Sequence, residues 1–164
     1  MMAAVLAAYG DKERKVWGFD SFEGLPPPNE DKYPSDRGDQ LHRFPQLAVS
    51  LEEVTDNFRR VGLWSEQVRL VKGWFKDTVP AADVEKIAVL RLDGDLYEST
   101  IQVLEGFYPR LSVGGFCIID DYGAMPSCRS AVGDFRRGHG VAEAIVNIDG
   151  KGVLWRKKLA TDEH

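Results

Sequence analysis

Short apolar runs alternate along this chain with segments of helical periodicity. Four runs have the length and composition of buried strands, at residues 15–19, 68–71, 87–92 and 113–119. Helical patterns precede, separate and follow them, at residues 2–9, from Ser50 with its S-x-x-E capping box, near 78–80, at 99–111 and at 127–137. The Ala-rich, apolar composition of residues 2–9 predicts that the first helix is buried. Apolar strands that alternate with helices predict a three-layer α/β/α fold with a mostly parallel sheet, in which the strand at 87–92 is buried on both faces apart from Arg91.

The C-terminal part of the chain has a hairpin signature. Residues 144–148 and 153–156 flank a D-G-K-G segment at 149–152, whose glycines tolerate the positive φ of tight turns. This predicts an antiparallel hairpin at the edge of the sheet. We expect a single domain over residues 1–158 and a polar tail at 159–164. The Pro- and Gly-rich segment at 23–45 is long enough to be a substrate-covering lid.

Composition excludes several classes of protein. The 164 residues carry a net charge of −5, which argues against a nucleic-acid partner because such binding depends on clustered Lys and Arg. No apolar stretch approaches the roughly 20 residues of a membrane span. The two cysteines, Cys117 and Cys128, have no metal-type spacing, which favours a reducing, cytoplasmic location.

Acidic residues follow the predicted strands where each strand ends. Asp20 follows the first, Asp93 and Asp95 the third, and Asp120 and Asp121 the fourth. Ligands bind beyond the carboxyl ends of parallel strands, and neighbouring ends lie about 4.8 Å apart. Carboxylates so close repel one another, and a hard cation such as Mg²⁺ would stabilise them. The simpler alternative is that each Asp only caps the next helix, which is adequate for Asp20 alone.

Three longer segments resemble one known family. They are VWGFDSFEGLP at residues 16–26, LRLDGDLYEST at 90–100 and LSVGGFCIIDDYG at 111–123. In this order they are similar to the macrocin O-methyltransferases, which methylate sugar hydroxyls of macrolide and aminocoumarin antibiotics with S-adenosylmethionine and Mg²⁺. The resemblance runs from about residue 2 to residue 158. It implies a Rossmann-like methyltransferase fold and a small-molecule glycoside as the substrate.

The resemblance also implies roles for individual residues. Asp95 would be the general base, and the metal ligands would be Asp93, Asp120 and Asp121. The cofactor would be lined by two segments, Asp20, Ser21, Phe22, Glu23 and Gly24 after the first strand, and Gly73 and Trp74 after the second.

The chain departs from the family pattern at its start. The family's first strand and its E-x-G-x-x-x-G loop, which wraps the methionine part of the cofactor, would precede Met1. That strand lies mid-sheet, so its loss would leave strand edges unpaired. We expect either a fragment of a longer protein or a sheet whose gap is closed by itself or by another chain, as in a homo-oligomer.

Two other functions are compatible with parts of the sequence. A relative without the glycine-rich loop could bind metal or a partner without methyl transfer. Separately, Asp93-Gly94-Asp95 resembles the D-x-D of haloacid-dehalogenase-type phosphatases. Those enzymes place Gly and Thr or Ser after the second Asp, whereas Leu96 and Tyr97 follow here.

The missing loop leads to a first prediction. We expect the 164-residue chain to bind S-adenosylmethionine weakly, because part of the cofactor's protein environment would be absent. Titration calorimetry of the chain with the cofactor measures this directly. Binding in the low micromolar range would contradict the prediction.

Overall fold

A computed structural model describes residues 1–159 of the chain. These residues form two compact units. The first unit comprises residues 1–27 and 40–78, and the second comprises residues 28–39 and 79–159. The single domain expected over residues 1–158 stays a prediction. Apart from its first residue, the predicted tail at 159–164 lies outside the described residues.

The first unit contains a two-stranded parallel sheet, three α-helices and two short 3-10 helices, Leu41–Arg43 and Pro45–Leu47. In chain order its elements are α1 (Met2–Tyr9), β1 (Val16–Asp20), α2 (Leu51–Arg60), β2 (Val68–Lys72) and α3 (Phe75–Thr78). The register of β1 and β2 pairs Val16 with Val68 and Asp20 with Lys72, so both strands end at the same edge.

Local signals set the ends of two helices in this unit. The Ser50 hydroxyl accepts a hydrogen bond from the Glu53 N–H at 3.1 Å, as the capping box predicted for the start of α2. Gly10 ends α1 in a left-handed conformation, with φ of 67°. The expectation that α1 is buried is wrong, because all its side chains are at least partly exposed and Tyr9 is 86% exposed. An apolar helix is buried only where another element covers it.

The helix predicted to begin near residues 78–80 is also misplaced. Instead α3 ends at Thr78, whose hydroxyl and N–H both donate to the Trp74 carbonyl. Pro80 therefore follows the helix rather than occupying its first turn, and it cannot supply an N–H to continue it.

The second unit contains a four-stranded mixed sheet and two long helices. Its elements are β3 (Ile87–Leu92), α4 (Tyr97–Phe107), β4 (Leu111–Ile119), α5 (Pro126–Gly138), β5 (Val146–Asn147) and β6 (Val153–Arg156). The strand order is β3-β4-β6-β5, with β3 and β4 parallel and the other neighbours antiparallel. The predicted parallel sheet and C-terminal hairpin are both confirmed.

Both sheets contain a parallel edge strand with a single neighbour. Within residues 1–159, β1 pairs only with β2, and β3 pairs only with β4. Each of these two strands therefore has one unpaired edge in the described part of the chain. None of the described helices is long and apolar enough to cross a membrane.

The core of the second unit lies on one face of its sheet. Leu90, Cys117, Ile119 and Trp155 are buried there, and Phe135 of α5 packs edge-on against Tyr108 with ring centroids 5.1 Å apart. The opposite face is open, since Val89 is 41% and Phe116 40% exposed. The expectation that β3 is buried on both faces is therefore wrong, because within the described residues its helices cover one side.

The start of α4 is capped from a distant part of the chain. Its N-cap residue, Leu96, has no side-chain oxygen, and the Asp36 carboxylate accepts from the N–H groups of Tyr97 and Glu98 at 2.7 and 3.0 Å. Asp36 is only 1% exposed, and this burial raises the pKa of its carboxyl, although the two amide donors oppose the shift. The cap fixes the segment at 28–39 against the helix that follows Asp93 and Asp95.

This contact leads to a prediction about stability. Asp36→Ala should lower the free energy of unfolding by about 2 kcal/mol, because two amides at the helix start lose their acceptor. Asp36→Asn should cost less, since its one remaining acceptor oxygen can take one bond. Urea unfolding followed by circular dichroism measures both variants. Asp31→Ala, an exposed Asp in the same segment, is the control, and an equal loss there would contradict the cap's importance.

Candidate functional site

Four aspartates meet at the carboxyl edge of the β3–β4 pair. The register places Leu92 opposite Ile119, the last residues of the two strands, and the Asp120 N–H donates to the Leu92 carbonyl at 3.0 Å. The residues that follow, Asp93 and Asp95 on one strand and Asp120 and Asp121 on the other, therefore lie side by side. The structure thus brings the four residues to one sheet edge, and the roles assigned to them stay predictions.

Arg91 lies among these carboxylates. Its guanidinium donates to Asp120 through two nitrogens, Nε at 3.2 Å and Nη2 at shorter range, and through Nη2 to the Asp93 carboxylate at 3.2 Å. Strand alternation explains this geometry, because Arg91 and Asp93 are two residues apart and project to the same side. A cationic side chain thus bridges the ends of both strands.

Asp95 has an uncommon backbone conformation. Its φ is 54°, in the left-handed region that side chains other than glycine seldom adopt. Two contacts hold it, since its N–H donates to the Asp121 carboxylate at 3.3 Å and its carbonyl accepts from the Ser127 hydroxyl at 3.2 Å. Such conformations persist where the surroundings enforce them, and they cluster at functional sites.

Three carboxyl groups of this cluster, those of Asp93, Asp95 and Asp121, are harder to ionise than ordinary aspartates. Burial raises the pKa of Asp95 to about 6, and the negative charges of Asp121 and Asp93 add to the effect. Burial also raises the pKa of Asp93, with the charges of Asp121 and Asp120 contributing, and burial raises the pKa of Asp121. A carboxylate with a pKa near neutrality can accept a proton from a substrate and release it again.

The donor set is chemically suited to a hard divalent cation. Carboxylate oxygens are the ligands that Mg²⁺ prefers. Burial is the main cause of the raised pKa values, and a cation would relieve the repulsion between neighbouring carboxylates that adds to it. Among residues 1–159, however, no three acidic, His or Cys side chains lie close enough together to hold a metal ion. The Arg91 guanidinium lies on oxygens of Asp93 and Asp120 instead.

A second group of predicted site residues lies in the first unit, at the end of β1. The Asp20 carboxylate accepts from the Phe22 N–H at 2.6 Å, and the Ser21 hydroxyl donates to the Gly24 carbonyl at 2.6 Å and accepts from the Glu23 N–H at 3.0 Å. These bonds make residues 20–24 a fixed turn in which Phe22 has a φ of 56°.

The end of β2 adjoins this turn. The Gly73 N–H donates to the Asp20 carbonyl at 2.9 Å, and Lys72 forms an ion pair with Glu23 at 2.9 Å. Gly73 has a φ of 146°, and a Cβ there would lie 2.8 Å from the Thr78 methyl carbon. With Trp74 next in sequence, the structure brings both predicted cofactor segments to one edge of the β1–β2 sheet.

Three contributors to the aspartate site were not identified from sequence. The sequence does contain a signal for Arg91, because it is the one charged residue in an otherwise apolar strand. It contains no signal for Asp36, since nothing in a polar loop shows which distant amides that residue will cap. Ser127 was recognised only as the start of a helix, and its bond to the Asp95 carbonyl depends on how α5 packs.

Comparison with known proteins is consistent with this geometry. The family model for macrocin O-methyltransferase (TylF) matches residues 1–157. The chain belongs to this family. A tetracenomycin-type rhamnosyl 4'-O-methyltransferase of Streptomyces olivaceus is 53% identical over 161 residues, which are 98% of this chain and 61% of that protein. Mycinamicin III 3''-O-methyltransferase of Micromonospora griseorubida is 49% identical over 93% of this chain and 61% of its own length.

Solved structures of methyltransferases share the fold. The O-methyltransferase NovP superposes with a TM-score of 0.93 at 48% identity, covering 96% of this chain and 65% of NovP. A calicheamicin methyltransferase superposes with a TM-score of 0.73 at 26% identity, covering 94% and 65%. This chain therefore spans about three-fifths of the length of the curated relatives it matches. Membership of this family argues against the phosphatase alternative.

The raised pKa of Asp95 predicts how stability depends on pH. A folded-state pKa near 6, against an ordinary 3.8, means that ionising Asp95 disfavours the folded state as pH rises from about 4 to 6. In EDTA, Asp95→Asn should therefore be more stable than the parent at pH 8, by about 1 kcal/mol after screening by solvent. The difference should shrink below pH 4.

Urea unfolding at several pH values measures this difference. Asp31→Asn, an exposed aspartate, is the control and should track the parent chain at every pH. A difference between Asp95→Asn and the parent that stays constant from pH 4 to pH 8 would contradict the raised pKa.

Proposed function

We propose that the protein transfers a methyl group from S-adenosylmethionine to a sugar hydroxyl of a natural-product glycoside. The observation that carries the proposal is Asp95, a strained and partly buried carboxylate with a pKa of about 6 beside three further aspartates. Membership of the macrocin O-methyltransferase family supports methyl transfer as the reaction that these residues catalyse. The curated relatives support the acceptor class, since those described above are named for methylating a rhamnosyl tetracenomycin and mycinamicin III.

Asp93, Asp120 and Asp121 are proposed to hold Mg²⁺. Their oxygens are of the type this ion prefers, and their mutual repulsion gives them a reason to bind it. When bound, Mg²⁺ would act as a Lewis acid that stabilises the developing alkoxide of the acceptor. These residues fit Mg²⁺ in the chemistry of their donor atoms. To coordinate the ion, their side chains would have to move closer together.

Asp95 is proposed as the general base. At pH 7 to 8 a carboxyl with a pKa near 6 is mostly ionised, yet basic enough to take a proton from a hydroxyl as the oxygen attacks the methyl group. Its carbonyl and N–H are held by Ser127 and Asp121, so the side chain is presented from a fixed backbone. Fixed presentation lowers the entropy cost of reaching near-attack geometry.

The turn at residues 20–24 and Gly73-Trp74 are proposed to bind the cofactor. Asp20 is exposed at the carboxyl end of β1, where an acidic residue in nucleotide-binding α/β folds accepts from ribose hydroxyls. Its second role, accepting from the Phe22 N–H, keeps its carboxylate oriented. The absence of a Cβ at Gly73 lets the backbone after β2 turn sharply toward Thr78.

The proposed reaction and the free cysteines both bear on where the protein acts in the cell. We infer a cytoplasmic enzyme, where S-adenosylmethionine is made and where the two buried, unpaired cysteines would stay reduced. A homo-oligomer is compatible with the unpaired strand edges of β1 and β3 in the described chain.

Two substitutions separate the base from the metal ligands. Asp95→Asn should lower kcat by about 10²- to 10⁴-fold, because it cannot accept the proton, while Mg²⁺ affinity stays within about twofold. Asp120→Asn should weaken Mg²⁺ binding by about tenfold or more, since a charged ligand is lost. Methyl transfer to desmethyl rhamnosyl glycosides and calorimetric titration with Mg²⁺ provide the two readouts.

Asp83→Asn is the matched control, because Asp83 is an exposed acid in the same unit that is not part of the cluster. It should leave both turnover and metal affinity unchanged. If Asp95→Asn and Asp120→Asn weaken Mg²⁺ binding equally, the division into base and ligand is wrong.

A further inference from the structure

The aspartate cluster contains a cation supplied by the chain itself. Arg91 contacts Asp120 through two nitrogens and Asp93 through one, so its guanidinium joins the ends of β3 and β4. Two-pronged arginine–carboxylate bonds are stronger and more directional than a single ion pair. Arg91 is about half exposed, and so is Asp93, whereas Asp120 is 25% exposed.

A guanidinium and a divalent cation compete for these carboxylates. Both are attracted to the oxygens of Asp93 and Asp120, and two cations placed side by side repel. Within the described residues no three acidic side chains converge closely enough for a metal, and Arg91 lies on oxygens of two of them. The guanidinium therefore opposes metal binding at Asp93 and Asp120.

We propose that Arg91 is an intramolecular counter-cation that holds Asp93 and Asp120 together in the metal-free protein and competes with the divalent ion for them. The inference rests on the proposed metal site, whose ligands it concerns. Arg91 acts through these ligands and is a positioning residue. Its half-exposed side chain has open solvent to move into when it is displaced.

The role is testable because it has opposite consequences with and without metal. In EDTA, Arg91→Gln should lower the unfolding temperature by about 2–4 °C, since the carboxylates lose their compensating charge. In a calorimetric titration with MgCl₂, the same variant should bind Mg²⁺ about three- to tenfold more tightly, because the competitor is gone. Arg91→Lys keeps the positive charge but lacks the planar guanidinium that bonds two oxygens at once. Its unfolding temperature and Mg²⁺ affinity should therefore lie between those of the parent chain and of Arg91→Gln.

Arg137→Gln is the matched control. Arg137 is an exposed arginine in the same unit that forms an ion pair with Asp134 three residues earlier, away from the cluster. The substitution removes the same charge and a similar ion pair as Arg91→Gln does, but at a site outside the aspartate cluster. Any difference between the two variants therefore reflects the location of Arg91. Its Mg²⁺ affinity should equal that of the parent chain.

The outcomes distinguish this inference from the proposed function. Binding of Mg²⁺ to the parent with tighter binding to Arg91→Gln supports both, and binding to Arg91→Gln alone supports competition most strongly. If the parent binds Mg²⁺ and Arg91→Gln binds equally or more weakly, the counter-cation role is overturned while the metal site stands. If neither binds up to millimolar MgCl₂, the metal site fails and the inference falls with it.

Discussion

The burial of neighbouring carboxylates at one sheet edge is the constraint on which this site depends. Two adjacent parallel strands end together, and each is followed at once by acidic residues. Burial, together with the charges of neighbouring carboxylates, raises the pKa values of Asp93, Asp95 and Asp121, so these three groups are costly to ionise. That cost supports the proposal that the cluster binds a cation, and it gives Asp95 basicity near neutral pH.

The surrounding fold holds these groups together against their repulsion. The β3–β4 ladder fixes the strand ends, and buried residues of β4, β6, α4 and α5 form the core beneath them. Asp36 anchors the segment at 28–39 to the first turn of α4, immediately after Asp95. Ser127, at the start of α5, holds the Asp95 carbonyl. Each contact restricts a backbone that would otherwise relax away from its strained conformation.

Patterns with a short-range cause were predictable from sequence. The strand at 87–92 was predicted with its observed bounds, the hairpin turn was located by its glycines, and Ser50 capped its helix. The convergence of the four aspartates followed from strand order alone. Errors arose where tertiary packing decides. The open face of β3, the exposure of α1 and the position of α3 relative to Pro80 depend on which elements cover which surfaces. The Asp36 cap joins residues about 60 apart, and no local pattern encodes it.

The most direct test is a crystal structure of the chain with Mn²⁺ in place of Mg²⁺, located by anomalous scattering. The account predicts one strong peak bounded by oxygens of Asp93, Asp120 and Asp121, with Asp95 outside the coordination sphere and the Arg91 guanidinium turned away from Asp120. A peak elsewhere, or none at millimolar Mn²⁺ with Arg91 still on both carboxylates, would contradict it.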